Sequence, residues 1–448
     1  MDTITALATP LGRSGIGIVR LSGADSVKIS QKLIGDSGYK PKPRYTSLRK
    51  ILDSETKEII DEVIFTFFKA PNSFTGEDVV EISCHGSPMI LRQVLDLCLK
   101  YDARLAEPGE FTLRALANGR LDLSQAEAIR DLIDANSVAM TRQAIRQLEG
   151  EFSHQLQPLK DELLNVIVVL ESALEFVEDD LPDIQVAGIK EKLTRINADL
   201  SKLTDTYKAG KLLREGLKIA LVGRPNVGKS SLFNALLGQD RAIVTEIPGT
   251  TRDQLHESFT INNIPISLID TAGLRKTFDR VEVIGVERAR RAMIDADLIV
   301  VLLDGSQNLT KEDREILDSV KELNYIIAVN KKDLKQEEII LDQNTRVLNI
   351  SAKTGEGLDA LQNSIVEPFS AQDVDKKGFL VSDARHNDLL LRSKSEIETS
   401  LRHLEDKMSE EITLIGLHNA IRFLGEITGE TTNEDMLTRI FSTFCIGK

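Results

Sequence analysis

The sequence has few cysteines, no tryptophan and no long apolar run. Its three cysteines, Cys84, Cys98 and Cys445, cannot all pair within the chain, which favours a reducing compartment. No apolar stretch reaches the roughly 20 residues that a membrane-spanning helix needs. The N-terminus also lacks the pattern of a secretory signal, so we expect a cytoplasmic protein without a membrane partner.

Positive charge is scarce as well. Aspartate and glutamate outnumber lysine and arginine by 70 to 56, which gives a net charge of −14. This balance excludes a protein that coats nucleic acid non-specifically, and a nucleic-acid substrate would need a local basic surface or a second protein. The length predicts about three domains. An apolar fraction of 41% with few aromatics is typical of α/β or α-rich folds.

The first 118 residues alternate short apolar strands with turns, which predicts a mixed α/β domain. The clearest strands are Ile16–Leu21, Val63–Phe68 and Val79–Cys84. Ser87-Pro88 is typical of a helix N-terminus. We therefore expect a strand-rich domain with at least one covering helix.

Helical periodicity then dominates, beginning with an expected capping box at Ser124–Glu127 and interrupted at Pro182. Strand–helix alternation replaces it between Gly216 and about Val366, and helical spacing returns near Leu389. The simplest arrangement inserts an α/β domain into a helical one. The predicted domains are 1–118 (N-terminal α/β), 119–215 (helical, first half), 216–378 (inserted α/β) and 379–448 (helical, second half).

A phosphate-loop pattern, G-x-x-x-x-G-K-S, spans Gly223 to Ser230. It lies between a predicted buried strand and a predicted helix, where backbone N–H groups would hold anionic oxygens. Lys229 would neutralise the β- and γ-phosphates, and the Ser230 hydroxyl would bind Mg2+. A glycine turn without a ligand is the competing interpretation. The binding residues expected here are Asn226, Val227, Gly228, Lys229, Ser230 and Ser231.

Three further motifs follow in the order of a GTPase, each after a predicted strand. Asp270 can hold Mg2+, while Asp333 can accept hydrogen bonds from the N1 and N2 donors that guanine has and adenine lacks. The motifs are Asp270-Thr271-Ala272-Gly273, Asn330-Lys331-Lys332-Asp333 and Ser351-Ala352-Lys353. Together they predict a GTP-binding domain.

A Gly-Thr-rich loop between the phosphate loop and Asp270 offers Thr250 and Thr251 as candidates for completing Mg2+ coordination. Turn chemistry without a ligand is the alternative. Leu274 occupies the position of the water-orienting glutamine of Ras-type enzymes, and leucine cannot hydrogen-bond a water. Either hydrolysis is slow or another polar group orients the water. The loop residues expected to contact GTP are Thr245, Glu246, Ile247, Pro248, Gly249, Thr250 and Thr251.

Several motifs at once resemble the MnmE (TrmE) family of tRNA-modifying GTPases, over the full length of the chain. They are Phe74–Asp78, Pro108–Phe111, Leu121–Ala128, Gly223–Ser231, Gly249–Asp253, Asp270–Arg275 and the ending Phe444–Lys448. The resemblance implies a multidomain α/β plus α-helical fold. An N-terminal folate-binding-like α/β domain would precede a split helical bundle that carries an inserted Ras-like P-loop GTPase domain.

The resemblance also implies that K+ does the work of an arginine finger and that Glu282 orients the attacking water. Glu282 lies in a charged run, and a solvated helix face is the competing interpretation. The implied ligands are Asn226, Thr245, Ile247 and Thr250 for K+, and Ser230, Thr251 and Asp270 for Mg2+.

A folate site is implied at Arg20, Glu81, Arg120 and Lys448, for 5-formyl- or 5,10-methylene-tetrahydrofolate. Arg120 replaces the usual lysine, which keeps the charge and changes the geometry. For Glu81, the alternative is the exposed face of a strand. Cys445 would be a nucleophile or proton-transfer group near the folate, with a buried helix-end thiol as the alternative. Cys84 and His85 are interpreted as strand-end packing.

In function, the resemblance implies a K+-dependent GTPase coupled to addition of a carboxymethylaminomethyl or aminomethyl group at the wobble uridine of certain tRNAs. Its partners would be a second copy of the chain, tRNA, and the FAD- and NADH-using protein MnmG. A ribosome-assembly-type GTPase switch that binds RNA without modifying it is the alternative.

Overall fold

The computed structural model describes residues 2–175, 183–239, 257–261, 264–269, 293, 295–337, 339, 346–367, 378–431 and 434–447. Within these ranges the chain forms two compact units. The first unit comprises Met1–Arg130, Gln147–Lys160 and Ile421–Lys448, and the second comprises Asp131–Arg146 and Asp161–Ala420. Both units combine helices with a β-sheet, which confirms the expected multidomain α/β plus helical fold class.

Strands and helices are numbered in chain order over the described residues. The strands are β1 (Ile4–Leu7), β2 (Ser14–Ser22), β3 (Thr46–Leu52), β4 (Ile59–Phe68), β5 (Val79–Gly86), β6 (Arg104–Leu105), β7 (Leu217–Val222), β8 (Glu257–Ile261), β9 (Ile264–Ile269), β10 (Leu298–Asp304), β11 (Tyr325–Asn330) and β12 (Val347–Asn349). The helices are α1 (Ser26–Ile34), α2 (Pro88–Lys100), α3 (Glu110–Ala117), α4 (Leu123–Asp134), α5 (Val138–Leu148), α6 (Glu151–Glu175), α7 (Asp183–Asp205), α8 (Tyr207–Glu215), α9 (Lys229–Gln239), α10 (Lys311–Val320), α11 (Leu358–Val366), α12 (Ala384–Glu405), α13 (Glu410–Thr428) and α14 (Glu434–Phe441).

The sheet of the first unit has the strand order β3-β4-β5-β2-β1-β6. All neighbours are antiparallel except β1 and β6. One face packs on α1 and α2, because alternate residues of each strand are apolar and buried. In β5, Val80, Ile82 and Cys84 point into this core while Glu81 and Ser83 lie on the other face, as the alternation predicts.

The sheet of the second unit has the order β12-β11-β10-β7-β9-β8, parallel except for the β8–β9 pair. Both faces are covered, which makes the central strands apolar throughout. Leu298, Val300 and Leu302 of β10 pack towards α9 and α11, while the alternate residues pack towards α10. Strand β7 lies between β10 and β9, so its carboxyl end is the topological switch point where α/β sheets bind ligands.

Helices α7 and α12 of the second unit each bury one stripe of apolar side chains. On α7 the stripe is Ile189, Leu193, Ile196 and Leu200, at spacings of three and four residues. Ser393 and Ser400 of α12 donate hydrogen bonds to backbone carbonyls of α13. The helical periodicity predicted for these segments is confirmed; the expected break at Pro182 lies outside the described residues.

The expected capping box at Ser124–Glu127 is wrong. Helix α4 begins at Leu123, so Asp122 is the capping residue, and its Oδ1 accepts a hydrogen bond from the Gln125 backbone N at 2.8 Å. The Gln125 side chain accepts one from the Asp122 N at 2.9 Å, which completes the reciprocal box. Aspartate caps as well as serine, and tertiary burial of Ser124 inside the helix decided between the two overlapping patterns.

Candidate functional site

The phosphate loop joins β7 to α9, and two of its residues adopt left-handed backbone conformations. Asn226 has φ 65° and Gly228 has φ 101°. A Cβ at Gly228 would lie 2.3 Å from Asn330 Nδ2, so no residue with a side chain fits there. Helix α9 begins at Lys229, and its free N–H groups and dipole therefore face the loop, as an anionic ligand requires.

Lys229 folds back over the loop. Its ammonium group donates hydrogen bonds to the carbonyl oxygens of Gly223 and Arg224, the latter at 2.9 Å. Burial lowers the pKa of Lys229 below its usual value. A phosphate oxygen placed in the loop would replace these carbonyls as the acceptor, and its negative charge would oppose this lowering of the Lys229 pKa.

Asn330, at the end of β11, connects the phosphate loop to the loop that contains Ser351, Ala352 and Lys353. Its Nδ2 donates to the Val227 carbonyl at 2.8 Å, and its Oδ1 accepts from the Ala352 N–H at 2.9 Å. Because Asn330 is buried, these hydrogen bonds fix the position of one loop relative to the other. Asn330 of this motif therefore acts as a structural brace between the two loops.

Asp333 is exposed beside this brace. Ser351 Oγ donates to its Oδ1 at 2.7 Å, and this hydrogen bond lowers the pKa of Asp333. The carboxylate is therefore ionised and oriented, as required to accept two N–H donors of one guanine. Lys353 contributes a further positive charge nearby. These residues come together as the motif order predicts.

Behind the loop, Arg224 and Lys331, the latter predicted as a binding residue, form ion pairs with two aspartates that were not predicted from the sequence. Lys331, with φ 69°, donates to Asp304 at 2.6 Å, and Arg224 lies 3.2 Å from Asp313. Burial opposes ionisation of Asp304, but the bond from Lys331 lowers its pKa. The position of Asp304 at the carboxyl end of the apolar strand β10 was the signal that could have identified this aspartate.

Ser230 and Ser231 lie in the first turn of α9. The remaining nucleotide-site predictions lie outside the described residues. They are Thr245, Glu246, Ile247, Pro248, Gly249, Thr250, Thr251, Asp270, Thr271, Ala272, Gly273 and Glu282. Lys448, predicted for the folate site, also lies outside them.

In the first unit, Arg20 and Glu81 face each other across β2 and β5. Arg20 Nη2 and Nε donate to Glu81 Oε1 at 2.7 and 3.0 Å. Arg20 Nη1 also donates to the Gly447 carbonyl at 3.3 Å, which brings the C-terminal segment to the same place. The guanidinium carbon lies 5.7 Å from the centroid of the Phe111 ring. A cation, a carboxylate and an aromatic ring thus share one partly buried position.

Arg120 is exposed and lies above the Phe74–Asp78 loop. A Cβ built on Gly76 would be 3.4 Å from Arg120 Cγ, so the arginine stem passes directly over that glycine. The guanidinium can therefore turn towards a ligand or towards water. This geometry is compatible with binding a carboxylate-bearing molecule.

Cys445 is exposed, so the interpretation as a buried helix-end thiol is wrong. Helix α14 ends at Phe441, and Phe444 fills the buried position of the following turn. Gly109 N donates to the Cys445 carbonyl at 3.5 Å, which fixes the backbone and leaves the thiol in solvent.

Cys84 is buried in the core of the first unit, and burial raises its pKa to about 12. His85 Nδ1 lies 2.7 Å from the buried Asp61 carboxylate, which also accepts from the His85 N–H. Packing at the end of β5 is therefore confirmed for Cys84, whereas the His85 side chain is exposed and is held by its contact with Asp61.

Comparison with protein families matches nearly the whole chain. The profile described as "GTP-binding protein TrmE N-terminus" matches residues 3–120, and "MnmE helical domain" matches residues 123–445. The tRNA modification GTPase MnmE of Aquifex aeolicus is 43% identical over 449 residues, covering 100% of both chains. The chain belongs to the MnmE family.

Other MnmE proteins are similar to the same extent. That of Clostridioides difficile is 43% identical, covering 100% of this chain and 99% of the relative. Among solved structures, the G domain of the T. maritima FeoB iron transporter matches at 30% identity and a TM-score of 0.26, over 34% of this chain and 99% of that domain. No helix in the described ranges is long and apolar enough to cross a membrane.

Proposed function

We propose that the protein is a K+-dependent GTPase whose hydrolysis of GTP to GDP and phosphate drives modification of tRNA. The modification would add a carboxymethylaminomethyl or aminomethyl group at C5 of the wobble uridine, with a folate one-carbon unit. Membership in the MnmE family supports the coarser statement, a GTPase that acts in tRNA modification. The finer statements rest on the residues below.

The observation that carries the proposal is the brace made by Asn330. It ties Val227 of the phosphate loop to Ala352 beside Asp333, so the phosphate site and the base site are one preorganised unit. An ionised Asp333 selects guanine, and Lys229 supplies charge to the β- and γ-phosphates. A purine triphosphate that presents N1 and N2 donors fits this arrangement.

Asn226 would hold K+ through its side-chain oxygen, with Thr245, Ile247 and Thr250 completing the set. The ion would supply positive charge against the transferring phosphoryl oxygens. Ser230, Thr251 and Asp270 would hold Mg2+, and Glu282 would orient the attacking water in place of the glutamine that Leu274 replaces.

The Arg20–Glu81 pair supports the folate proposal, since a guanidinium can bind glutamate carboxylates and a carboxylate can accept pterin N–H donors. Arg120 and Lys448 would add positive charge. Bound tetrahydrofolate would supply the one-carbon unit, and Cys445 would act beside it. We further propose a cytoplasmic homodimer that works with an MnmG-like FAD and NADH protein.

The test is reconstitution with tRNA and the flavoprotein, followed by mass spectrometry of the tRNA nucleosides. We expect modified wobble uridine only with GTP and K+. Glu282→Ala should retain GTP binding and slow hydrolysis by roughly 100-fold. Glu287→Ala makes the same change in the same charged run and should leave both GTP binding and the rate of hydrolysis unchanged. Unmodified uridine together with GTP-dependent RNA binding would instead favour the ribosome-assembly-type switch.

The ion assignment has a separate test. Asn226→Gly removes the side-chain oxygen and keeps the left-handed backbone that the loop requires. We expect wild-type hydrolysis to be roughly 100-fold faster in K+ than in Na+, and the variant to lose that difference. Equal wild-type rates in the two salts would contradict the assignment of Asn226.

A further inference from the structure

One stretch of the first unit differs in charge from the rest of the chain. We call residues 37–52 the basic segment. It carries five cations, Lys40, Lys42, Arg44, Arg49 and Lys50, and no aspartate or glutamate, in a chain whose net charge is −14. The local charge is therefore opposite to that of the molecule.

All five cations of the basic segment are exposed. Across the described residues, none of them forms an ion pair with a carboxylate, although Glu62 faces Lys50 across the β3–β4 register. Three other exposed lysines of the same unit are paired: Lys28 with Asp25, Lys32 with Asp102 and Lys100 with Glu55. The positive potential of the basic segment is thus directed to solvent.

The backbone of the basic segment is held in place. Tyr39 is buried, and its hydroxyl lies 2.7 Å from Ser47 Oγ. Arg44 N donates to the Phe67 carbonyl of β4 at 2.7 Å, and Pro41 and Pro43 restrict the backbone between these anchors. A ligand of the five cations would therefore bind a loop that is already ordered.

An aromatic ring lies among the cations. Tyr45 is 61% exposed, and the Lys42 ammonium is 3.9 Å from the centroid of its ring. An exposed ring between cations is the arrangement that proteins use to stack a base and hold the neighbouring phosphates. An edge strand such as β3 also gains from lysines that prevent strand addition, but that role needs no exposed tyrosine.

We propose that the basic segment binds the phosphate backbone of the tRNA substrate, with Tyr45 stacking on an unpaired base. The proposal rests on the proposed function, because it takes tRNA as the substrate. It explains how an acidic protein attracts a polyanion: a preformed local surface supplies the attraction, while the net negative charge of the chain weakens non-specific binding.

The test measures tRNA affinity of the full-length chain between 50 and 200 mM KCl. Lys40→Gln, Lys42→Gln and Lys50→Gln are combined, and the matched control combines Lys28→Gln, Lys32→Gln and Lys100→Gln. We expect the triple variant to bind about tenfold more weakly and its salt slope to fall by about 2. The control should bind as wild type, and GTP hydrolysis without tRNA should be unchanged in both.

A second variant separates stacking from charge. Tyr45→Ala should weaken tRNA binding by about tenfold at every salt concentration and leave the salt slope unchanged. Equal losses in the triple variant and its control would overturn the proposal. A triple variant that keeps full tRNA affinity and instead loses binding of the flavoprotein or loses self-association would overturn it as well. Absence of tRNA binding by the wild type would overturn the proposed function itself.

Discussion

At the scale of single residues, the environment of Cys445 differs from that of the other two cysteines. Cys84 and Cys98 are buried in the core of the first unit, and burial is the main cause that raises the pKa of each to about 12. Cys445 is exposed after the last helix. The thiolate is the reactive form of cysteine. Burial therefore protects Cys84 and Cys98 from reaction in two ways, because it excludes reagents and because it keeps the thiols protonated.

We therefore expect one reactive thiol per native chain. At pH 8, a disulfide reagent should label Cys445 within minutes and reach Cys84 and Cys98 only after denaturation. Cys445→Ser should reduce native labelling to zero while the denatured variant still yields two thiols. Labelling of two or more thiols in the native wild type would show that the core opens.

At the scale of elements, the chain enters and leaves the second-unit sheet through one junction. Arg214 of α8, just before β7, forms ion pairs with Asp131 of α4 and Asp383, the cap of α12. Val381 N donates to Thr206 at 3.0 Å, and a Cβ on Gly210 would lie 2.2 Å from the Val381 carbonyl. Residues far apart in sequence thus hold together the segment that leads into this sheet, residues 206–214, and the segment that leaves it, residues 381–383.

Removing Arg214 should be costly because it would leave two carboxylates without their common partner. We expect Arg214→Met to lower the free energy of unfolding by about 3 kcal/mol at pH 7. Lys211→Met, on the same helix, removes an exposed pair with Glu215 and should cost about 0.5 kcal/mol or less. Urea unfolding of the two variants and wild type measures both values, and equal losses would contradict the assigned role.

The cost should also depend on pH. Burial by itself raises the pKa of Asp383. The charges of His386 and Arg214 together lower it by more than burial raises it, so the pKa lies well below its usual range. A depressed pKa stabilises the fold above the unfolded value of about 3.9 and stops doing so as the pH falls through the folded pKa. The difference between wild type and Arg214→Met should therefore shrink below about pH 4; a constant difference would contradict this.

At the scale of the whole molecule, the first unit is assembled from three separated parts of the chain. Phe441 and Phe444, near the C-terminus, pack with Leu123 and Ala126 in one buried cluster. The Gly447 carbonyl accepts from Arg20. The stability of the N-terminal sheet domain and the geometry of Arg20 thus depend on the last residues of the chain.

Phe444→Ala should therefore destabilise the first unit by about 3 kcal/mol. Ile446→Ala, in the same tail, removes a side chain that is 58% exposed and should have little effect. GTP affinity should be unchanged in both, because the nucleotide site lies in the other unit. Thermal unfolding and GTP titration measure the two effects, and a loss of GTP affinity in Phe444→Ala would contradict this independence.

Much of the fold followed from local patterns. Alternation predicted the outward position of Glu81, and the order of motifs at strand ends predicted the nucleotide-binding fold in which Asn330 contacts the phosphate loop and Ser351 contacts Asp333. Other features needed the tertiary structure. The capping box moved to Asp122 because Ser124 is buried, and Asp304 joined the site only because parallel strands align their carboxyl ends.

By itself, the sequence determined the nucleotide chemistry, since backbone conformation and side-chain donors act within a few residues of each motif. Only the tertiary structure decided which distant residues share a position: Arg20 with Gly447, Arg214 with Asp131 and Asp383, and Tyr45 with its exposed cations. The physical reason is that burial, ion pairing and exposure are properties of the packed chain. The spacing of residues along the sequence does not determine them.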